Sequence, residues 1–113
     1  MGKRGDTKLK LKVLGSGSSG NCYILENDNE ALIIEAGLPF MEVKKALNFN
    51  IMKIKAVIIT HLHSDHHFYW FQYVRAGIPV FEPFKLMDGM KLSFGNLSFK
   101  VNAFENRDSS GRY

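Results

Sequence analysis

Cysteine is nearly absent from this chain of 113 residues: Cys22 is the only one. A single thiol excludes an internal disulfide framework and suits a reducing compartment, so a cytoplasmic location is expected. Within a strand-like run it reads as a small core residue. No apolar run approaches the ~20 residues of a bilayer span, so no membrane partner is expected. Met1 to Lys8 is polar and lacks the apolar stretch of a secretory leader. Met1-Gly2 opens like a myristoylation signal, but Asp6 stands where that signal needs Ser or Thr. Histidine is missing from every position outside 61–67, and no internal repeat or low-complexity tract occurs.

What is present is enough apolar residue for a packed core, 45% of the chain, with a net charge of +4. One domain is expected, with 1–8 as a flexible tail and 9–113 as the folded part. Lys8, Lys10 and Lys12 alternate with Leu9, Leu11 and Val13. That pattern predicts a strand with a solvated lysine face and a half-buried apolar face. A basic surface favours polyanions, nucleic acid among them. Lysine on an edge strand also blocks aggregation, so charge alone does not choose between the two roles.

The chemistry concentrates in Thr60-His61-Leu62-His63-Ser64-Asp65-His66, with His67 directly after. The preceding run, Ala56-Val57-Ile58-Ile59, is rich in β-branched residues and predicts a buried strand within 53–60. A strand that delivers a polar cluster at its carboxyl end is where open sheets place their sites. Imidazole and carboxylate are the usual ligands of zinc and similar divalent ions. His61 and His63, two apart in an extended turn, can converge on one ion. Asp65 and His66, where the loop bends into a helix, can face a second. An isolated histidine is usually a surface or core residue. A cluster of all four in the chain, joined to a buried strand, is hard to assign to packing or to a solvated metal-binding tract.

Gly15-Ser16-Gly17-Ser18-Ser19-Gly20 matches the spacing of a dinucleotide fingerprint, and Glu35 follows at a plausible distance. The fingerprint requires a helix opening inside the glycine run, with pyrophosphate at its amino end. Here Cys22–Glu26 reads as a strand, Asn27-Asp28-Asn29 as a turn and Glu30–Ile34 as the returning strand. The glycines then serve a turn, or let backbone approach the metal site or a substrate phosphate. Pro39 opens a helix that buries Val43 and Leu47 and ends near Asn48. A second helix runs from the histidines to a glycine cap at Gly77, with Arg75 in its last turn. It is crowded by Phe68, Tyr69, Trp70, Phe71 and Tyr73, which cannot all face one side. Phe71 and Val74 are expected in the core, leaving other rings to stack on a flat group such as a base. Ile78–Phe81 reads as a short strand, with Pro79 at a sheet edge or at the strand start. Lys91–Phe94 and Leu97–Phe104 read as a hairpin around Gly95-Asn96, with Leu92, Phe94, Leu97, Phe99 and Val101 toward the core.

The stretch from Ile58 to His66 resembles the signature of metallo-β-lactamase superfamily hydrolases. Gly15–Asn21 resembles the opening of their nuclease-like bacterial and phage branch, and the likeness runs from about Leu11 onward. It implies an α/β (α+β) fold, the amino-terminal half of an αββα sandwich, with a mixed β-sheet and flanking helices. It implies zinc, two ions in the complete protein, with manganese or iron as alternatives. The ligands would be His61 and His63 for one ion, Asp65 and His66 for the other, with Asp65 also orienting the attacking hydroxide. The family pattern has aspartate where this chain has Glu35, a residue that supports the metal loop without ligating. Glutamate is one methylene longer, so that support is expected with altered geometry. A glycine usual in the family is replaced by Tyr69. The further ligands of such sites come later in the family pattern, so the chain is expected to be a fragment, truncated at its carboxyl end.

The expected function is therefore a metal-dependent hydrolase acting on phosphodiesters of DNA or RNA through a metal-bound hydroxide. Ser16, Ser18, Ser19 and Asn21 are its candidate substrate loop. Two other readings stand beside it: a non-catalytic metal-binding remnant, and a dinucleotide module on Gly15–Gly20. A half-domain would also leave a sheet face exposed, and self-association through that face is expected.

Overall fold

In a computed structural model the described residues are 8–60, 67–82 and 89–100. Strands β1 (Lys10–Gly15), β2 (Cys22–Glu26) and β3 (Ala31–Ile34) are followed by helix α1 (Phe40–Ala46) and a short 3-10 turn (Ile51–Lys53). Then come β4 (Ile54–Ile58), helix α2 (Trp70–Arg75), β5 (Val80–Phe81) and the pair β6 (Lys91–Phe94) and β7 (Leu97–Lys100). One sheet has the order β1-β2-β3-β4-β5, and β6-β7 is a separate hairpin. The first three strands pair antiparallel, whereas β3–β4 and β4–β5 pair parallel, so the sheet is mixed. Parallel neighbours need a crossover, and α1 and α2 occupy the two connections.

The β2–β3 turn forms because Asn27 closes it locally. Its Oδ1 accepts from the Asn29 and Glu30 amides at 2.8 and 2.7 Å. Alternation then sorts the strands. Cys22, Ile24, Ile33, Val57 and Ile59 pack with Phe40, Val43, Leu47 and Tyr73, so both helices lie on one face of the sheet. Burial pushes the Cys22 thiol up to about 12, despite a hydrogen bond with Tyr73, which marks it as packing rather than chemistry. On the other face, Leu97 packs with Leu32 and Ala56, flanked by Leu25, Phe81 and Phe94. The hairpin turns at Gly95, whose φ of 62° suits glycine, with the Glu30 side chain packed against it. Residues 101–104 of the expected strand lie outside the described residues, as does the tail 1–7.

Two expectations are corrected. The apolar face of β1 is exposed, with Leu9, Leu11 and Val13 each more than half accessible, while Lys12 turns toward the helix layer. The cause is electrostatic: Lys12 Nζ donates to the Ala46 carbonyl at the end of α1 (2.9 Å) and lies 2.9 Å from Glu26. In α2, Phe71 and Val74 are exposed and Tyr73 is the buried ring. Tyr73 packs against Phe40 with the rings tilted, 4.8 Å between centroids, and Gln72 Oε1 accepts from the Phe40 amide at 2.7 Å. With 100° per residue, that face carries Tyr69, Gln72 and Tyr73 and turns Trp70, Phe71 and Val74 outward.

Glu26 is buried at the end of β2 between Lys53 (2.6 Å) and Lys12 (2.9 Å). Burial alone would raise its pKa, but the two ammonium groups outweigh it and hold the carboxyl below its usual range. A depressed folded pKa stabilises above the unfolded value and is lost as pH falls through the folded one. Glu26→Gln is therefore expected to cost about 2 kcal/mol at neutral pH. In urea titrations the gap between the two proteins should close below pH ~4; a gap independent of pH would contradict this role.

Candidate metal centre

Strands β3 and β4 run parallel with Ile34 opposite Ile58, so Glu35 and the Ile59-Thr60 pair leave the sheet at the same end. The Glu35 amide adds one more rung, donating to Ile58 O at 2.8 Å. Glu35 then takes φ of 72°, in the left-handed region that non-glycine residues rarely occupy. Such strain costs on the order of 1 kcal/mol and persists only where the surroundings hold it. Here two bonds hold it. Thr60 N donates to Glu35 Oε1 at 3.0 Å, and the Thr60 hydroxyl donates to Oε2. The carboxylate is buried and grips the residue that immediately precedes His61.

The next residues continue the brace. Ala36 O accepts from Tyr69 N at 2.9 Å, and Gly37 N donates to Asn21 O at 2.9 Å. Glu35 to Gly37 thus fastens the chain on both sides of the histidine motif and ties it to the glycine loop. That loop lies backbone against backbone. A Cβ on Gly20, at φ of 142°, would collide with Gly37 O, and one on Gly15 would come within 2.7 Å of Gly20 O. Asn21 is buried and closes the loop: Oδ1 accepts from Gly17 N (3.2 Å) and Nδ2 donates to Gly17 O (3.0 Å). Ser16, Ser18 and Ser19 are left exposed at its tip. No helix opens in the glycine run; β2 begins at Cys22, so the anion-binding helix of a dinucleotide fingerprint is missing from this place.

His61, His63, Asp65 and His66 lie outside the described residues. Among the described residues no three His, Cys, Asp or Glu side chains gather as a metal site would need. What the structure supplies is the frame: a strand end, a buried carboxylate on Thr60, and the Ala36–Tyr69 bond beyond. Glu35 was legible as a candidate. Thr60 as its partner and Asn21 as a clamp were not, although a hydroxyl at a strand end beside a carboxylate is a signal of the kind that could have been weighed.

Residues 15–80 match the family model described as the metallo-beta-lactamase superfamily. The chain belongs to that superfamily. Among curated proteins it is similar to exodeoxyribonuclease WalJ of Streptococcus pneumoniae, 40% identical over 61 residues, 51% of this chain and 23% of that protein. It is also similar to exodeoxyribonuclease YycJ of Bacillus anthracis, 36% identical over 61 residues, again 51% of this chain and 23% of that one. The chain thus matches less than a quarter of the length of these relatives. A metallo-beta-lactamase from Pontibacter korlensis shares the fold, with a TM-score of 0.58 at 15% identity, over 79% of this chain and 58% of that chain. The mixed sheet with helices on one face is that fold's arrangement over the shared part. No described helix is long and apolar enough to cross a membrane.

Removing the brace is expected to be costly. Glu35→Ala should lower the unfolding free energy by about 2 kcal/mol and Thr60→Val by about 1 kcal/mol. Because they share a bond, the double variant should lose less than the sum in urea denaturation. Fully additive losses would mean the two side chains act separately.

Proposed function

We propose that this chain carries the amino-terminal metal-binding part of a cytoplasmic, metal-dependent hydrolase that cleaves phosphodiester bonds in DNA or RNA. The observation that carries the reading is the Glu35 grip on Thr60 at the carboxyl end of two parallel strands, one residue before the histidine motif. A strained, buried carboxylate that fixes the entrance of a loop is the kind of outer support that metal ligands need. The names of the exodeoxyribonuclease relatives and the net charge of +4 support a nucleic-acid substrate.

The donor set fits divalent ions: neutral imidazoles and a carboxylate suit zinc first, then manganese or iron. His61 and His63 would hold one ion, Asp65 and His66 a second. When bound, such ions supply Lewis acidity and lower the pKa of water toward ~7. Asp65 has the further task of orienting the attacking water. Ser16, Ser18 and Ser19, on a tip stiffened by Asn21, present hydroxyls and backbone amides to the substrate. Glu35 positions the loop through Thr60.

One observation favours a second reading for the 113 residues taken alone. Four donors shared between two ions give two each, short of the three protein ligands of a catalytic zinc. On that reading the chain binds metal without turnover. The exposed stripe Leu9, Leu11 and Val13 is then where two copies would associate; sedimentation should show Leu11→Lys shifting the chain toward monomer, and an unchanged distribution would remove that surface from consideration.

Zinc titration by calorimetry, with release of a chromogenic phosphodiester measured alongside, tests the function. His63→Ala should abolish tight binding, and Glu35→Ala should weaken it about tenfold, the scale for losing an outer support. Unchanged zinc affinity in His63→Ala would sink the ligand assignment. Binding without hydrolysis in the parent chain would select the non-catalytic reading.

A further inference from the structure

Beyond the brace, the outward side of α2 and the turn before it carry a surface that the proposed chemistry does not use. Phe68 is 58% exposed, Trp70 38%, Phe71 38% and Val74 48%. The Arg75 guanidinium lies over the Phe71 ring at 5.6 Å from its centroid. Their opposite side is fixed. Tyr69 N is bonded to Ala36 O, Gln72 to the Phe40 amide, and Tyr73 is fully buried. The exposed rings therefore stand on an anchored backbone and have only two side-chain torsions each to lose on binding.

We infer that Phe68, Trp70, Phe71 and Arg75 form a stacking platform for the bases of single-stranded nucleic acid beside the candidate metal centre. The inference rests on the nucleic-acid reading above and adds the strandedness of the substrate. Three features favour it. The rings present π-faces, which any base can stack on, and a guanidinium already lies on one of them. The charge on the helix itself fits a polyanion: Trp70–Arg75 carries Arg75 and no carboxylate. The platform is also continuous with the Tyr69–Ala36 anchor, so a strand lying on it is directed to the same end of the sheet as Glu35 and Thr60. Bases inside a duplex are stacked on one another and offer no free faces, so a single strand or an opened end is what the surface fits.

Trp70 is the only tryptophan of the chain, so its fluorescence reports the platform directly. The intact 113-residue chain is titrated in chelator at low salt with oligothymidylate, and separately with a blunt duplex at equal phosphate. The single strand is expected to quench Trp70 and the duplex to quench it far less. Phe71→Ala and Arg75→Gln, both at exposed positions and checked for unchanged circular dichroism, should each weaken binding about tenfold. Phe68→Ala provides the same test if either variant fails to fold. Equal quenching by both nucleic acids, or affinity unaltered in the folded variants, would overturn the platform. So would self-association that disappears in Phe71→Ala while no oligonucleotide binds, which would make this face a protein contact. Metal is absent from the assay, so the two proposals fail separately. Zinc binding without Trp70 quenching removes the platform and leaves the metal centre, whereas quenching retained in His63→Ala supports the platform even if zinc affinity proves insensitive to that substitution.

Discussion

A buried carboxylate held by one threonine governs how this chain presents its polar end. Glu35 and Thr60 leave neighbouring parallel strands, and their two hydrogen bonds lock together backbones separated by 25 positions. Glu35 reaches Thr60 from a backbone conformation that side chains avoid. That arrangement survives because Ile58 O, Ala36 O and Gly37 N each have a partner that would be lost if the chain relaxed. Local discomfort is thus offset by a cooperative set of bonds, and the reward is a fixed point of departure for the histidine segment.

The sheet behind this end is steadied by a different kind of interaction. At the far end of β2, Glu26 gathers Lys12 and Lys53, and Lys12 also reaches the last turn of α1. One ammonium therefore ties an edge strand to a helix terminus and to a buried acid. Apolar packing between the helices and the sheet fills the space between the two polar ends. The domain thus has charged or hydrogen-bonded clasps at both ends of its strands and a dry layer in the middle. Both ends restrict sliding of the strands, which an apolar layer by itself resists poorly.

Much of this was readable beforehand because local chemistry agreed with the tertiary outcome. Ala56 to Ile59 had no other economical state than a buried strand. Asn27 to Asn29 could turn the chain without help, and Val43 and Leu47 shared a helix face after Pro39. The failures came where two answers have the same period. Alternating lysine and leucine in β1 specifies two faces but not which one meets the helices; the carbonyl of Ala46 and the carboxylate of Glu26 decided that. In α2 half of the six positions are aromatic and lie on different sides, so the inward face depended on where the helix starts and on Gln72 finding Phe40. At the site, the left-handed turn at Glu35 was not legible, because no pattern of residue types announces it. The relative placement of His61, His63, Asp65 and His66 lies outside the described residues.

The contact of Gly20 with Gly37 has an implication for how this loop can vary. Two stretches of main chain touch there with no room for even a methyl group, and Gly15 is nearly as confined. Any lineage that enlarges either position must prise the first hairpin away from the segment holding Thr60. Diversification is therefore funnelled into the serines between them, where bulk, charge or added length meets only solvent, and recognition can drift while the support beneath stays constant.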